Sequence, residues 1–332
     1  MNEKTIVDLH CHLAGIGAGH SGCRVSARMR RNWRYNIYLR TFGVTHQDLA
    51  ASGDHLIAAR LSASLTKSRY VSHAVILAMD GVVAANGQLD PDRTEIYVPN
   101  EFVRQMAAKH SNLLFGASVN PERPDALEQL QQAKAHGAVL LKWLPNIMHF
   151  DPAHPKYVPF YRKLVELDLP LLSHTGTENS FSGVNDSLGD PERLRRALQE
   201  GVTVIAAHAG GGGRYQGEHG QDRLARLMRE FPNCYADISA LTLVNHLGDL
   251  HRALRRPEFA GRLLYGSDFP LIRTALVSPW FSLRIPLRER CAITREPCPW
   301  DRDVLMKRAL GTPPELFARS AELVAKARRK PG

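Results

Sequence analysis

The 332-residue sequence has no apolar run approaching the roughly 18 residues of a membrane span, so no membrane partner is expected. Its opening, Met-Asn-Glu-Lys, lacks a signal-like apolar segment, and the address it suggests is cytoplasmic. Cysteine is scarce: five residues, an odd number with no Cys-x-x-Cys pair, speak for reduced thiols and against a disulfide framework. A Gly-x-Ser-x-Gly elbow is missing, which removes the usual sequence sign of a serine nucleophile. Neither a fixed-period repeat nor a low-complexity tract nor a domain linker divides the chain. Acidic residues are outnumbered, giving a formal charge of +10, but part of the excess lies in the tail Lys326, Arg328, Arg329, Lys330. With no nucleic-acid-binding motif beside it, that charge reads as a solvated surface or as a preference for an anionic small substrate.

What is present begins with composition: 44% hydrophobic and 23% charged residues suit a chain that buries a large core. Short apolar runs alternate with helical patterns, the mark of repeated βα units over a parallel sheet. Eight runs stand out, at Thr5–His10, Val71–Met79, Leu113–Val119, Ala138–Leu144, Pro170–His174, Val202–His208, Cys234–Ser239 and Leu263–Asp268. Between them, Pro99, Pro124 and Pro191 open helices at Asn100–Lys109, Asp125–His136 and Glu192–Glu200, the last two stopped by Gly137 and Gly201. Eight strands with helical crossovers predict an α/β fold, a (β/α)8 TIM barrel spanning 1–332 as one domain, for which about 250 residues suffice. The surplus falls mainly in a helical insertion after the first strand, residues 13–69. It holds a basic segment, Arg24–Arg40, and an amphipathic helix from about Thr45 with Leu49, Leu56, Leu61 and Leu65 on one face. Either a lid or a subunit interface in a homo-oligomer would account for it. Pro299–Leu310 and Pro313–Arg329 read as closing helices.

Chemistry enters at Asp8-Leu9-His10-Cys11-His12. The period of two along a strand turns His10 and His12 to one face, where they can grip a cation together, and turns Cys11 away. A pair of histidines with satisfied hydrogen bonds is the plain alternative. In a (β/α)8 barrel the catalytic groups gather at the C-terminal rim, and further polar residues sit at the later strand ends. These are Lys142 in Val-Leu-Leu-Lys-Trp, His174 in Leu-Leu-Ser-His-Thr-Gly, His208 in Val-Ile-Ala-Ala-His-Ala-Gly, and Asp268 in Leu-Leu-Tyr-Gly-Ser-Asp-Phe-Pro.

This ordered set resembles the amidohydrolase superfamily, specifically its amidohydrolase-related (amidohydrolase 2) branch of metal-dependent TIM-barrel hydrolases, from Asp8 to Asp268. The resemblance implies one or two divalent ions per chain, zinc for preference. His10, His12 and Asp268 would hold the more buried ion, His174 and His208 a second, and Lys142, carboxylated on its amine, would bridge them. In a mononuclear version the ligands would be His10, His12, His174 and Asp268, with Lys142 a plain cation and His208 polarising substrate or moving a proton. A divalent ion lowers the pKa of water from about 15.7 toward roughly 7, and Asp268 would serve as general base and His208 as its catalytic companion. Hydrolysis of an amide, lactone or ester follows. Decarboxylation or hydration of a carboxylate-bearing substrate at a mononuclear site is the rival, and a barrel that only binds would be marked by a lost ligand.

Several residues stay open. Asp8 shares the parity of His10 and suits a supporting hydrogen bond. The run Gly210–Gly213 lacks the Lys-Ser/Thr ending of a phosphate loop and reads as a close-approach turn beside the site. Arg24, Arg214 and Arg273 follow strand ends and suit a substrate carboxylate, though surface positions are the default. Trp143, Asn146 and Glu178 are candidates for the pocket wall, and His136 and His251 for solvated positions.

Overall fold

The structure, a computed structural model, describes residues 6–328, with Arg34 as backbone alone; Thr5, Arg329 and Lys330 of the readings above lie outside the described residues. Eight strands run parallel and neighbour one another in chain order: Ile6–His12, Val71–Leu77, Leu113–Ala117, Leu140–Trp143, Leu171–Ser173, Val204–Ala206, Cys234–Asp237 and Leu263–Leu264. The ring closes where the backbone after Leu264 meets the first strand. The Leu9 N–H donates to Tyr265 O at 3.2 Å, the Asp268 N–H to His10 O at 2.9 Å, and the His12 N–H to Phe269 O at 2.8 Å. The chain thus folds as the expected (β/α)8 barrel. Strands covered on both faces need apolar residues at nearly every position, which is why they stood out as continuous runs.

Two apolar layers follow from this. Val7, Leu9, Val75, Leu140, Leu172, Ile205 and Leu264 fill the barrel interior, sealed by Val324 from the helix Pro314–Ala327. Outside the strands lies a larger core shared with the crossover helices, including Asn100–Lys109, Ala126–Ala135, Val158–Glu166 and Gly220–Glu230. Among the described residues no helix is long and apolar enough to cross a membrane.

Residues 13–69 form the short strand Arg24–Val25, paired with Ile96–Tyr97, and the helices Ala27–Arg31, Arg34–Thr41, His46–Ser52 and His55–Thr66. The single helix expected from Thr45 is two. Thr45 and Asp48 form a reciprocal capping box at the first, and Gly53, at φ +84°, ends it one residue before the next begins to wind.

Candidate metal centre

Strand parity at the first strand is interrupted. Between Asp8 and Cys11 the chain carries one residue more than the facing Ala74–Ile76 stretch, a bulge that re-aims side chains. Asp8 and His10 therefore part company, although they share sequence parity. Asp8 turns away from the rim and accepts from the Trp300 indole N–H at 2.9 Å, the Ser267 N–H at 2.9 Å and the His10 N–H at 3.0 Å. It steadies the backbone on which His10 and Asp268 sit without touching either side chain. Among the described residues no cation is paired with it, and burial pushes its carboxyl up to about 6.

His10 and His12 do share a face, their ring centroids 5.1 Å apart. Both reach the same carboxylate oxygen: Asp268 Oδ1 lies 3.5 Å from His10 Nε2 and 3.2 Å from His12 Nε2. Lys142, fully buried at the end of the fourth strand, places Nζ 3.1 Å from His10 Nε2. His208 stands at 5.1 Å from His10, ring to ring, and His174 edge-on to His208 at 5.0 Å. Donor atoms of His10, His12 and Asp268 fall within 4.8 Å of one another, as do those of His10, His208 and Asp237. His174 belongs to neither group, but among the described residues its buried Nε2 has no hydrogen-bond partner, and the same is true of His12 Nδ1.

Asp237, at the end of the seventh strand, was not singled out from the sequence. Its Oδ2 is 2.8 Å from His10 Nδ1, and its Oδ1 accepts the His208 N–H at 2.9 Å. Since an ionised carboxylate only accepts, His10 carries its proton on Nδ1 and leaves the Nε2 lone pair facing Asp268 and Lys142. Ser239 Oγ stands at 3.0 Å from His10 Nδ1 and 2.9 Å from His208 Nδ1, tying the two rings to one post. Its place at a strand end, like the other rim residues, was the available signal for Asp237; no spacing rule marks it.

Burial, reinforced by the Lys142 charge, pushes His10 down to about 3. Burial also holds His174 and His208 below their usual range, so all three rings are neutral, the state a metal ligand requires. Burial works to raise the Asp237 and Asp268 carboxyls, yet the contact with His10 Nδ1 holds Asp237, and the contact with His12 holds Asp268, well below the usual carboxylate range. Lys142 is lowered to about 8, burial outweighing the attraction of Asp237 and Asp268.

Two rim residues depart from ordinary backbone. His208 at φ 58° and Asp268 at φ 62° are left-handed, a conformation that costs a non-glycine residue on the order of 1 kcal/mol or more. Gly266, just before, is required by proximity: a Cβ there would lie 2.9 Å from the His10 Cβ. In the run Gly210–Gly213, a Cβ on Gly212 would lie 2.6 Å from the His246 ring, so the close-approach turn is there to admit His246. His246 Nδ1 is 3.1 Å from Asp249 Oδ2, and His246 lines the cavity.

That cavity, of about 180 Å³, opens on His12, His174, His208 and Asp268. Glu178 lines it, whereas Trp143 is wholly buried behind the fourth strand, stacked on Phe160, and Asn146 is buried away from the cavity. None of Arg24, Arg214 and Arg273 lines it either: Arg24 faces a separate hollow beside Arg30, and Arg214 donates to Gly217 O.

Solved structures of similar fold agree with this architecture. An uncharacterized TIM-barrel protein from Bordetella bronchiseptica is 17% identical, with 98% of this chain and 99% of that one covered at a TM-score of 0.59. A putative amidohydrolase from Staphylococcus aureus is 12% identical, with 97% and 99% covered at 0.53. A 5-carboxyvanillate decarboxylase from Novosphingobium aromaticivorans, solved with bound manganese, is 11% identical, with 96% and 98% covered at 0.50. No curated protein sequence matches the chain. The sequence pattern of the amidohydrolase family, however, matches residues 7–292. The chain belongs to the amidohydrolase family, whose members are typically metal-dependent.

Proposed function

We propose that the chain is a metal-dependent hydrolase that adds water to the carbonyl of an amide, lactone or ester, with zinc as its ion. The observation that supports this best is the convergence of His10 and His12 on the Asp268 carboxylate, with Lys142 Nζ and the His174 Nε2, unpartnered among the described residues, at the same strand ends. Imidazole nitrogens and a carboxylate oxygen form a donor set that suits a first-row divalent cation. His10, His12 and Asp268 would hold one ion, and His174 and His208 a second, with Lys142, if carboxylated, between them; with a single ion, His174 would join the first three. When bound, such an ion supplies an electrophile for the carbonyl and brings water's pKa toward roughly 7.

The protein's own groups divide the remaining work. Asp268, held ionised, takes a proton from the attacking water and returns it to the leaving alcohol or amine as the carbonyl C–O or C–N bond breaks. His208, its Nδ1 side fixed by Ser239, has Nε2 free for the second ion or, where only one ion binds, for the substrate oxygen. Asp237 keeps His10 in the tautomer that leaves Nε2 free.

A second reading, a mononuclear decarboxylase or hydratase, rests on the 3.1 Å separation of Lys142 Nζ and His10 Nε2, a contact that an ammonium makes directly by donating to the ring. Metal analysis after reconstitution, with carbon-13 NMR in labelled bicarbonate, separates the two. About two ions per chain with a carbamate signal at Lys142 supports the hydrolase; one ion with no such signal favours the rival. Failure of the reconstituted protein to retain any divalent ion overturns both.

A further inference from the structure

The net charge of +10 left open an anionic substrate, and the folded orientation of the basic stretch Arg24–Arg40 argues otherwise. In the helix Ala27–Arg31, Met29 turns inward while Arg28, Arg30 and Arg31 face solvent. In Arg34–Thr41, Tyr35 and Leu39 are buried one turn apart, and Arg40 is exposed. The inward residues Met29, Tyr35, Tyr38 and Leu39, with Phe42, line the cavity that opens on the histidines. Phe181 joins the lining from the loop after the fifth strand. Among the described residues, no lysine or arginine side chain lines this cavity, and the charged side chains that do, Glu178 and Asp268, are carboxylates. An anionic group seated against the insertion would meet apolar carbon and neither lysine nor arginine to pair with, which is unfavourable to an ion leaving water.

From this we infer that the substrate is an uncharged acyl compound, an ester or lactone in the first place. Its carbonyl sits at the histidine end, and an apolar group of about one ring or six carbons sits against the insertion. The inference rests on the hydrolase reading for the carbonyl and on the cavity wall for the apolar group. The size follows from the volume: about 180 Å³ is close to the roughly 150 Å³ of an apolar cavity that accommodates benzene. Each methylene transferred from water to such a wall improves binding roughly fourfold.

The test uses the full-length, metal-reconstituted protein and two readouts. With 4-nitrophenyl esters from acetate to hexanoate, kcat/KM rises roughly fourfold per methylene, and the negatively charged monosuccinate ester falls below the acetate. Independently of turnover, ligand-observed fluorine NMR detects binding of fluorobenzene, weakened about tenfold or more by Tyr38→Lys. Phe181→Ala, on the other wall, serves the same purpose if Tyr38→Lys does not fold. A series that is flat or falling with chain length, or a monosuccinate preferred over acetate, overturns the inference while leaving the hydrolase reading intact. Fluorobenzene binding without turnover of any ester supports the apolar wall and counts against the hydrolase reading. Absence of fluorobenzene binding overturns the inference whatever the esters do.

Discussion

The rim of strand ends and the insertion that faces it enclose one cavity by different means. At the rim, three candidate ligands are fixed through buried polar contacts: His10 by Asp237, His208 by Ser239, and the backbone around Asp268 by Asp8. The insertion presents apolar side chains from short helices, with Arg28, Arg30, Arg31 and Arg40 turned to solvent. Polar contacts demand particular angles and distances, whereas apolar contacts require mainly volume and coverage. The rim is accordingly suited to holding reacting atoms, and the insertion to selecting what may approach them.

Substitutions can break that contrast. The largest effect is expected from Asp268→Asn, which keeps the shape and removes the proton acceptor: kcat falls by about a thousandfold or more, on the order of 4 kcal/mol, while thermal melting of the metal-free protein hardly moves. Next comes the support behind the rim. Lys307, fully buried in the helix Pro299–Ala309, donates to Gly266 O at 2.8 Å and pairs with Asp303 at 2.7 Å. Lys307→Met leaves Asp303 buried without its cation, and denaturant unfolding should register a loss of about 3 to 5 kcal/mol.

A third outcome concerns pH. Asp8 is raised to about 6 in the folded state from 3.8, so the folded protein binds the extra proton between those values. Its contribution to stability is then full below about pH 4 and declines as pH rises through about 6. In chelator-treated protein, the stability of wild type relative to Asp8→Asn should fall by about 3 kcal/mol across that window; an increase would reverse the assignment. Asp237→Asn comes fourth. By disturbing the His10 tautomer it should weaken divalent-metal binding by about 10- to 100-fold in competition titrations, with little change in secondary structure. The smallest effect belongs to the insertion: Ser26 caps the helix Ala27–Arg31 by accepting the Met29 N–H, and Ser26→Ala should cost about 1 kcal/mol without altering metal content. If Ser26→Ala lowered metal affinity as Asp237→Asn does, the division of labour would fail.

The sequence disclosed these two regions unequally. Every barrel strand was legible because a strand covered on both faces must be apolar throughout, as in Val71–Leu77. His10, His12, Lys142, His174, His208 and Asp268 were visible because each is a polar residue at the end of such a run. Asp237 shares that position, but it follows Tyr235 and Ala236 with no histidine near it in sequence, and only the fold brings it to His10. Asp8 illustrates a different limit: parity assigned it to the histidine face, and one extra residue in the strand reversed it. The insertion was read by its arginines, since composition counts charges and is blind to the direction in which a helix turns them. Its helix from Thr45 was drawn through Gly53, whose positive φ ends it.

The left-handed backbone at His208 and Asp268 carries a consequence for directed evolution. Glycine adopts that conformation freely, so replacing either residue by glycine relieves backbone strain at the moment it removes a rim side chain. A library screened for heat resistance alone would therefore tend to enrich sturdier barrels with an emptied rim. Screening the same library for retained metal as well as for melting temperature would keep the two properties from drifting apart.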